Sequence, residues 1–167
     1  PCIDADLNEI PDCDQEWILS ATFDLDVQSF AVEPNIIADW DHADAGGDPL
    51  SGSLKVTNTV FAQLEGAAMA GVSRCVGALP SEYYRAFLRA HIPPEEQHVQ
   101  ANLSLFFYES KDCTGSAAAS VQSTPLTTAP EWSVLQVESS ATPRTQSVLL
   151  RIAVIKRFRD DPAVVFV

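Results

Sequence analysis

The stretch "EYYRAFLRAHI", residues 82–92, decides the fold class. Tyr84, Ala86, Leu88, Ala90 and Ile92 alternate with Tyr83, Arg85, Phe87, Arg89 and His91. Successive side chains of an extended strand point to opposite faces, so this period of two sends one set inward and leaves the other outside. The same alternation recurs in "ATFDLDVQSFAV" (21–32), "SGSLKVTNTV" (51–60), "QANLSLFFYE" (100–109), "EWSVLQVE" (131–138), "TQSVLLRIAVIKRF" (145–158) and "AVVFV" (163–167). Between these runs lie turn-forming stretches: "DAGGDPLSGS", "HIPPEE", "KDCTGS", "TTAPEW", "SATPRT" and "RDDP". Short strands at such spacing predict an all-β antiparallel sandwich. In "FAQLEGAAMAGVSRC" (61–75) the Ala and Met content favours a helix, but two Gly weaken it, so the segment reads as strand and loop with at most one helical turn.

The chain has 167 residues and is 46% hydrophobic, enough for one domain with a real core. Residues 1–16 read as an acidic, irregular segment and 17–167 as the sandwich. No apolar run approaches the roughly 20 residues that a bilayer requires, so membrane insertion is not expected. With no initiator Met and no signal-peptide pattern, Pro1 reads as a processed end whose export signal is already gone.

Net charge is −13 and uneven. Thirteen Asp and Glu precede Lys55 with no Lys or Arg among them; beyond that point ten acidic residues balance ten basic ones. A nucleic-acid partner is therefore excluded, since phosphate binding requires a basic face. The excess favours a cation or plain solubility. Four Cys suggest two disulfides and an oxidising compartment. They allow three pairings, of which Cys2–Cys13 with Cys75–Cys113 is preferred. No CxxC pair is present, so a zinc ribbon or thioredoxin-type site is not expected.

Several segments resemble a known family. "ADWDHADAGGDPLSGSLKVTN" (38–58), "CVGALPSEYYRAFLRAHIPP" (75–94) and "ANLSLFFYESKDCTGS" (101–116) resemble bacterial extracellular β-sandwich modules of the galactose-binding-like, carbohydrate-binding type. "SVLLRIAVIKRF" and "AVVFV" look like the last two strands of that family. The resemblance spans about residues 20–167. It implies a jelly-roll sandwich, a Cys75–Cys113 bridge, a structural calcium in many members, and no catalytic activity. The opening "PCIDADLNEIPDCDQEW" is instead similar to calcium repeats of the thrombospondin type 3 class, where a Cys often sits within an Asp run.

Calcium is a hard cation that takes six to eight oxygens. Asp4, Asp6, Asn8, Asp12 and Asp14 would supply side-chain oxygens and Ile10 its carbonyl. Five carboxylates, counting Glu9, crowd eleven residues and repel unless a cation neutralises them. A Cys2–Cys13 bridge would close this loop and lower the entropy cost of binding. By analogy with the family, Asp24, Asp26, Asp44 and Asp48 form a second candidate calcium group. Its plainer reading is a polar strand face followed by turn-forming Asp.

Sugar binding combines aromatic rings for the apolar side of a pyranose with Arg or Asn for its hydroxyls. Tyr83, Arg85, Phe87 and Arg89 on one strand, Asn102, Phe106 and Tyr108 on another, and Arg151 on a third carry that mixture. Three Arg would also suit an acidic sugar. The plain alternative is an ordinary outward sheet face with polar cross-strand pairs. Trp40, flanked by Asp39 and Asp41 near a loop, is a further candidate platform. His42, His91 and His98 lack the HExxH spacing, no GxSxG elbow or phosphate loop is present, and no two carboxylates stand out as a catalytic pair.

The expectation is a secreted, non-catalytic, calcium-stabilised module that binds a glycan. The alternative is a structural subunit of an extracellular filament, sheath or surface layer, self-assembled through its ends, because "AVVFV" is a bare apolar strand suited to pairing or strand exchange.

Overall fold

The computed structural model describes residues 30–47, 51–61, 67–96, 98–127, 129–157 and 162–167. Among the described residues ten strands follow one another: β1 (Ala31–Val32), β2 (Ile36–Asp41), β3 (Ser53–Asn58), β4 (Ala68–Gly77), β5 (Tyr83–Ile92), β6 (Val99–Tyr108), β7 (Ala119–Gln122), β8 (Ala129–Ser140), β9 (Ser147–Lys156) and β10 (Ala163–Phe166). They form two five-stranded antiparallel sheets, in the orders β1-β4-β9-β6-β7 and β2-β3-β10-β5-β8. No helix occurs among the described residues. The segment with mixed signals is settled as strand from Ala68 onward. The N-terminal acidic segment, with Cys2, Cys13, Asp4, Asp6, Asn8, Ile10, Asp12 and Asp14, lies outside the described residues, as do Asp24, Asp26 and Asp48.

The alternating positions make the core. Leu54 and Val56 of β3, Leu103 and Phe107 of β6, Ile152 and Val154 of β9, and Val165 of β10 are fully or nearly fully buried between the sheets. Tyr84 joins them from β5, its ring tilted against Phe107 at 5.8 Å and its hydroxyl accepting the Leu79 amide at 2.6 Å. Asn58 is a fully buried polar residue of this interior. From β3 its side-chain amide donates across the sandwich to Val154 O at 2.7 Å and Ala68 O at 3.2 Å. A buried amide placed so that both donors are used ties one sheet to the other.

β5 and β6 are consecutive yet belong to different sheets, because the Pro-rich turn "HIPPEE" carries the chain across the sandwich. The C-terminal strand is an inner one. β10 lies between β3 and β5, and Val167 exchanges both backbone hydrogen bonds with Leu54, at 2.8 and 3.0 Å. This corrects the expectation that "AVVFV" is a spare strand for neighbours: it pairs with β3 along its length and with β5 at Phe166↔His91.

Candidate functional site

The outer face of the second sheet gathers the β5 members of the expected ligand set. Tyr83, Arg85, Phe87, Arg89 and His91 stand on it from β5, as the alternation predicts. Cross-strand partners in register share a face, so β8 adds Ser140 opposite Tyr83, Glu138 opposite Arg85, Gln136 opposite Phe87 and Val134 opposite Arg89. The register then shifts between Ala90 and Ile92, whose partners are Ser133 and Ala129. Such a bulge re-aims side chains. Here it sets the Trp132 ring beside His91, with centroids 5.7 Å apart. On the other side of His91 stands Phe166 of β10, at 5.8 Å. Lys55 of β3 holds its ammonium 5.7 Å from the Phe166 ring centre and 3.9 Å from Asp41 of β2. One row, Trp132–His91–Phe166–Lys55–Asp41, thus crosses all five strands of the sheet.

Four large apolar side chains are exposed on this face, and four more (Val32, Phe61, Met69 and Leu79) are exposed elsewhere among the described residues. Tyr83 is 59% exposed, Phe87 49% and Val134 62%, and Ile37 of β2 adds a fourth large apolar side chain left to solvent. Phe87 and Val134 are diagonal neighbours across β5 and β8, while Tyr83 and Ile37 stand apart from them on the same face. Its polar groups are spread between the rings. Glu138 lies 3.9 Å from Arg85 and accepts a hydrogen bond from Tyr83, which holds the Tyr83 phenol above its ordinary pKa and so in the donor state. Arg89 donates through Nη1 to the Ala45 carbonyl at 3.3 Å, tying the loop after β2 to β5.

The remaining expected ligand residues lie elsewhere. Asn102, Phe106 and Tyr108 belong to β6 and Arg151 to β9, on the outer face of the first sheet. The expectation that Asn102 points to solvent is corrected: it is 4% exposed, with Ser104 beside it at 3%. A buried mid-strand amide also removes the Asn102-Leu103-Ser104 sequon as a glycosylation site. Arg151 is committed to Glu33, and Phe106 and Tyr108 are half-buried. Trp40 faces inward as well. It packs against the core, meets His42 edge-on at 4.4 Å, and lies so close to Gly52 that a Cβ there would stand 2.5 Å from the indole.

Of the second carboxylate group only Asp44 is described. Its Oδ2 accepts the Gly46 amide at 2.9 Å, the hydrogen bond of an Asp-initiated turn. Among the described residues no cluster of three or more His, Cys, Asp or Glu could hold a metal ion. The Cys75–Cys113 disulfide is present, its Cα atoms 6.0 Å apart, and it fastens the "DCTG" turn to β4. Cys113 itself has a φ of 56°, and Gly115 relieves the turn at 84°.

Trp132, Phe166, Lys55, Val134 and Glu138 share this face with the β5 candidates although the sequence did not single them out. Their own alternation put Val134 and Glu138 outward, but the shared face depends on β8 and β10 flanking β5, which pattern alone does not reveal.

The β-sandwich fold is shared with solved structures that include carbohydrate-binding modules. The CBM22-1 xylan-binding domain from Paenibacillus barcinonensis Xyn10C superposes with a TM-score of 0.57 at 15% identity, over 90% of this chain and 94% of that one. A family 16 carbohydrate-binding module gives 0.54 at 14% identity, over 89% and 93%. Matches also fall within longer enzymes. The chain spans 18% of the enzymatically active domain of bacteriophage CBA120 tailspike protein 4, at a TM-score of 0.57, 12% identity and 83% of this chain. It spans 28% of a Clostridium thermocellum xylanase 10B structure comprising CBM22-1 and GH10 modules, at 0.56, 12% identity and 89% of this chain. No protein-family model matches the sequence, and no curated protein matches it significantly.

Proposed function

We propose that this chain is a secreted, non-catalytic glycan-binding module whose ligand lies on the outer face of the second sheet. The carrying observation is the exposed Tyr83, Arg85, Phe87 and Arg89 side chains of β5, flanked by the half-buried rings of Trp132 on β8 and Phe166 on β10. Rings offer an apolar surface to the C–H side of a pyranose, and the intervening Arg, Gln and Glu side chains meet its hydroxyls. Neighbours of the same fold include a domain described as xylan-binding. Export agrees with the disulfide, which persists in oxidising compartments. Calcium binding by residues 4–14 belongs to the proposal and rests on their alternating carboxylates alone. The subunit alternative loses its main support, because the C-terminal strand is paired within the chain. Retention in affinity gels carrying a panel of soluble polysaccharides tests the reading. A glycan should slow migration, and Phe87→Ala should abolish that delay. No retardation by any polysaccharide would reject it.

A further inference from the structure

The binding face carries one cation whose charge is not spent. Lys55 has Asp41 and the Phe166 ring, and Arg85 has Glu138. Arg89 has no carboxylate partner among the described residues: one Nη1 bond to a neutral carbonyl, Ala45 O, is its commitment. A guanidinium has five N–H donors in a planar fork that matches a carboxylate in two-pronged fashion. Four of these remain, on an exposed side chain in the middle of the platform. Phe87 and His91 are its neighbours two positions away on the same strand face, about 7 Å on either side. Val134 stands opposite in register. A sugar ring lying over Phe87 or Val134 therefore brings an exocyclic C6 group to the Arg89 fork.

Resting on the glycan-binding reading above, we infer that Arg89 receives the carboxylate of a uronic acid set singly in an otherwise neutral polysaccharide. Two observations make the carboxylate single. The chain carries −13 and repels a dense polyanion at long range. Carboxylates also bracket the site: Glu138 stands by Arg85 on one side, and Asp39 and Asp41 flank Lys55 on the other. Each would lie close to a second uronate placed along the row. A neutral chain with an isolated acidic sugar meets one fork and avoids both.

A glycan array with matched triplets tests this. Each triplet holds a neutral xylo-, gluco-, manno- or galacto-oligosaccharide, the same oligosaccharide with one glucuronate substituent, and that compound with its carboxyl reduced to an alcohol. The reduced compound keeps the shape and removes the charge. The native protein should prefer the acid to its reduced form by about tenfold for the backbone it binds. Arg89→Gln should bring that ratio near one. Arg144→Gln, a change of equal charge at an exposed side chain paired with Glu109, should keep it. Equal binding of acid and reduced forms, or an Arg89→Gln protein that keeps the preference, overturns the inference and leaves glycan binding standing. Binding to no member of any triplet overturns the glycan-binding reading instead.

Discussion

Arg151 and Glu33 hold each other by two parallel hydrogen bonds, Nε to Oε1 at 2.6 Å and Nη2 to Oε2 at 2.9 Å. The pair reaches across β4, from β9 to the residue after β1, and Glu33 Oε2 also accepts the Gly71 amide at 3.1 Å. It therefore straps the two-residue edge strand onto the first sheet. Arg151→Gln should cost about 1–3 kcal/mol in chemical denaturation, the range for a charge-assisted hydrogen bond that leaves its partner half-buried.

The same pair gives a pH dependence. The hydrogen bonds from Arg151, helped by its charge and by the Gly71 amide, hold the Glu33 carboxyl below its ordinary pKa against the opposing effect of burial. A depressed folded-state pKa means that the contribution is complete above the unfolded value near pH 4.5 and fades as pH falls through the folded value. Melting temperature should drop below about pH 4.5, and Arg151→Gln should flatten the part of that drop owed to Glu33. Identical acid slopes for the two proteins would refute the assignment.

Gly71 lies where the edge strap meets the core. A Cβ there would stand 2.0 Å from Ile152 O and 2.9 Å from Ala153 Cα, both backbone atoms that cannot swing aside. Gly71→Ala should destabilise by about 2–3 kcal/mol, as overpacking does, and should disturb β4–β9 amide protection first in hydrogen exchange.

Asn58 supports the interior in a different way. Asn58→Ala leaves Val154 O and Ala68 O without their side-chain donor and opens a small void, at about 2–4 kcal/mol. Asn58→Asp should be worse, because it turns an acceptor toward two carbonyls. Urea midpoints of the three proteins should fall in the order native, Ala, Asp.

The Cys75–Cys113 bridge closes a loop of 38 residues in sequence separation. Loop-closure entropy assigns it about 4 kcal/mol. The double variant Cys75→Ala/Cys113→Ala should melt about 10 °C lower, by the usual entropy of a domain this size. An unchanged melting temperature would show that the bridge fastens only its own turn.

Much of this fold was legible along single strands. The alternations in β3 and β5 correctly separate Leu54 from Lys55 and Ala90 from Arg89 as inward and outward positions, and Arg151 of β9 stands outward as read, whereas the uniformly apolar β10 does not show which of Val165 and Phe166 faces the core. Strand partners were not legible. Period two says which side of a strand a residue takes; it does not say which sheet the strand joins. That is why Tyr83 and Phe106 read as one surface and stand on opposite sides of the sandwich. Nor does polarity report exposure. Asn102 alternates as an outward residue should, yet it is buried on a face that the pattern leaves open. The re-aiming of Trp132 depends on a bulge between paired strands and has no signature in either strand alone.

The central claim is the location of the binding face, and chemical-shift mapping of the isotope-labelled protein tests it most directly. Titration with an oligosaccharide from a retained polysaccharide should shift Tyr83, Arg85, Phe87, Arg89 and Trp132, and leave Phe106, Tyr108 and Arg151 in place. Shifts centred on Phe106 and Tyr108 would contradict the account, as would saturable binding that leaves the β5–β8 face unmoved.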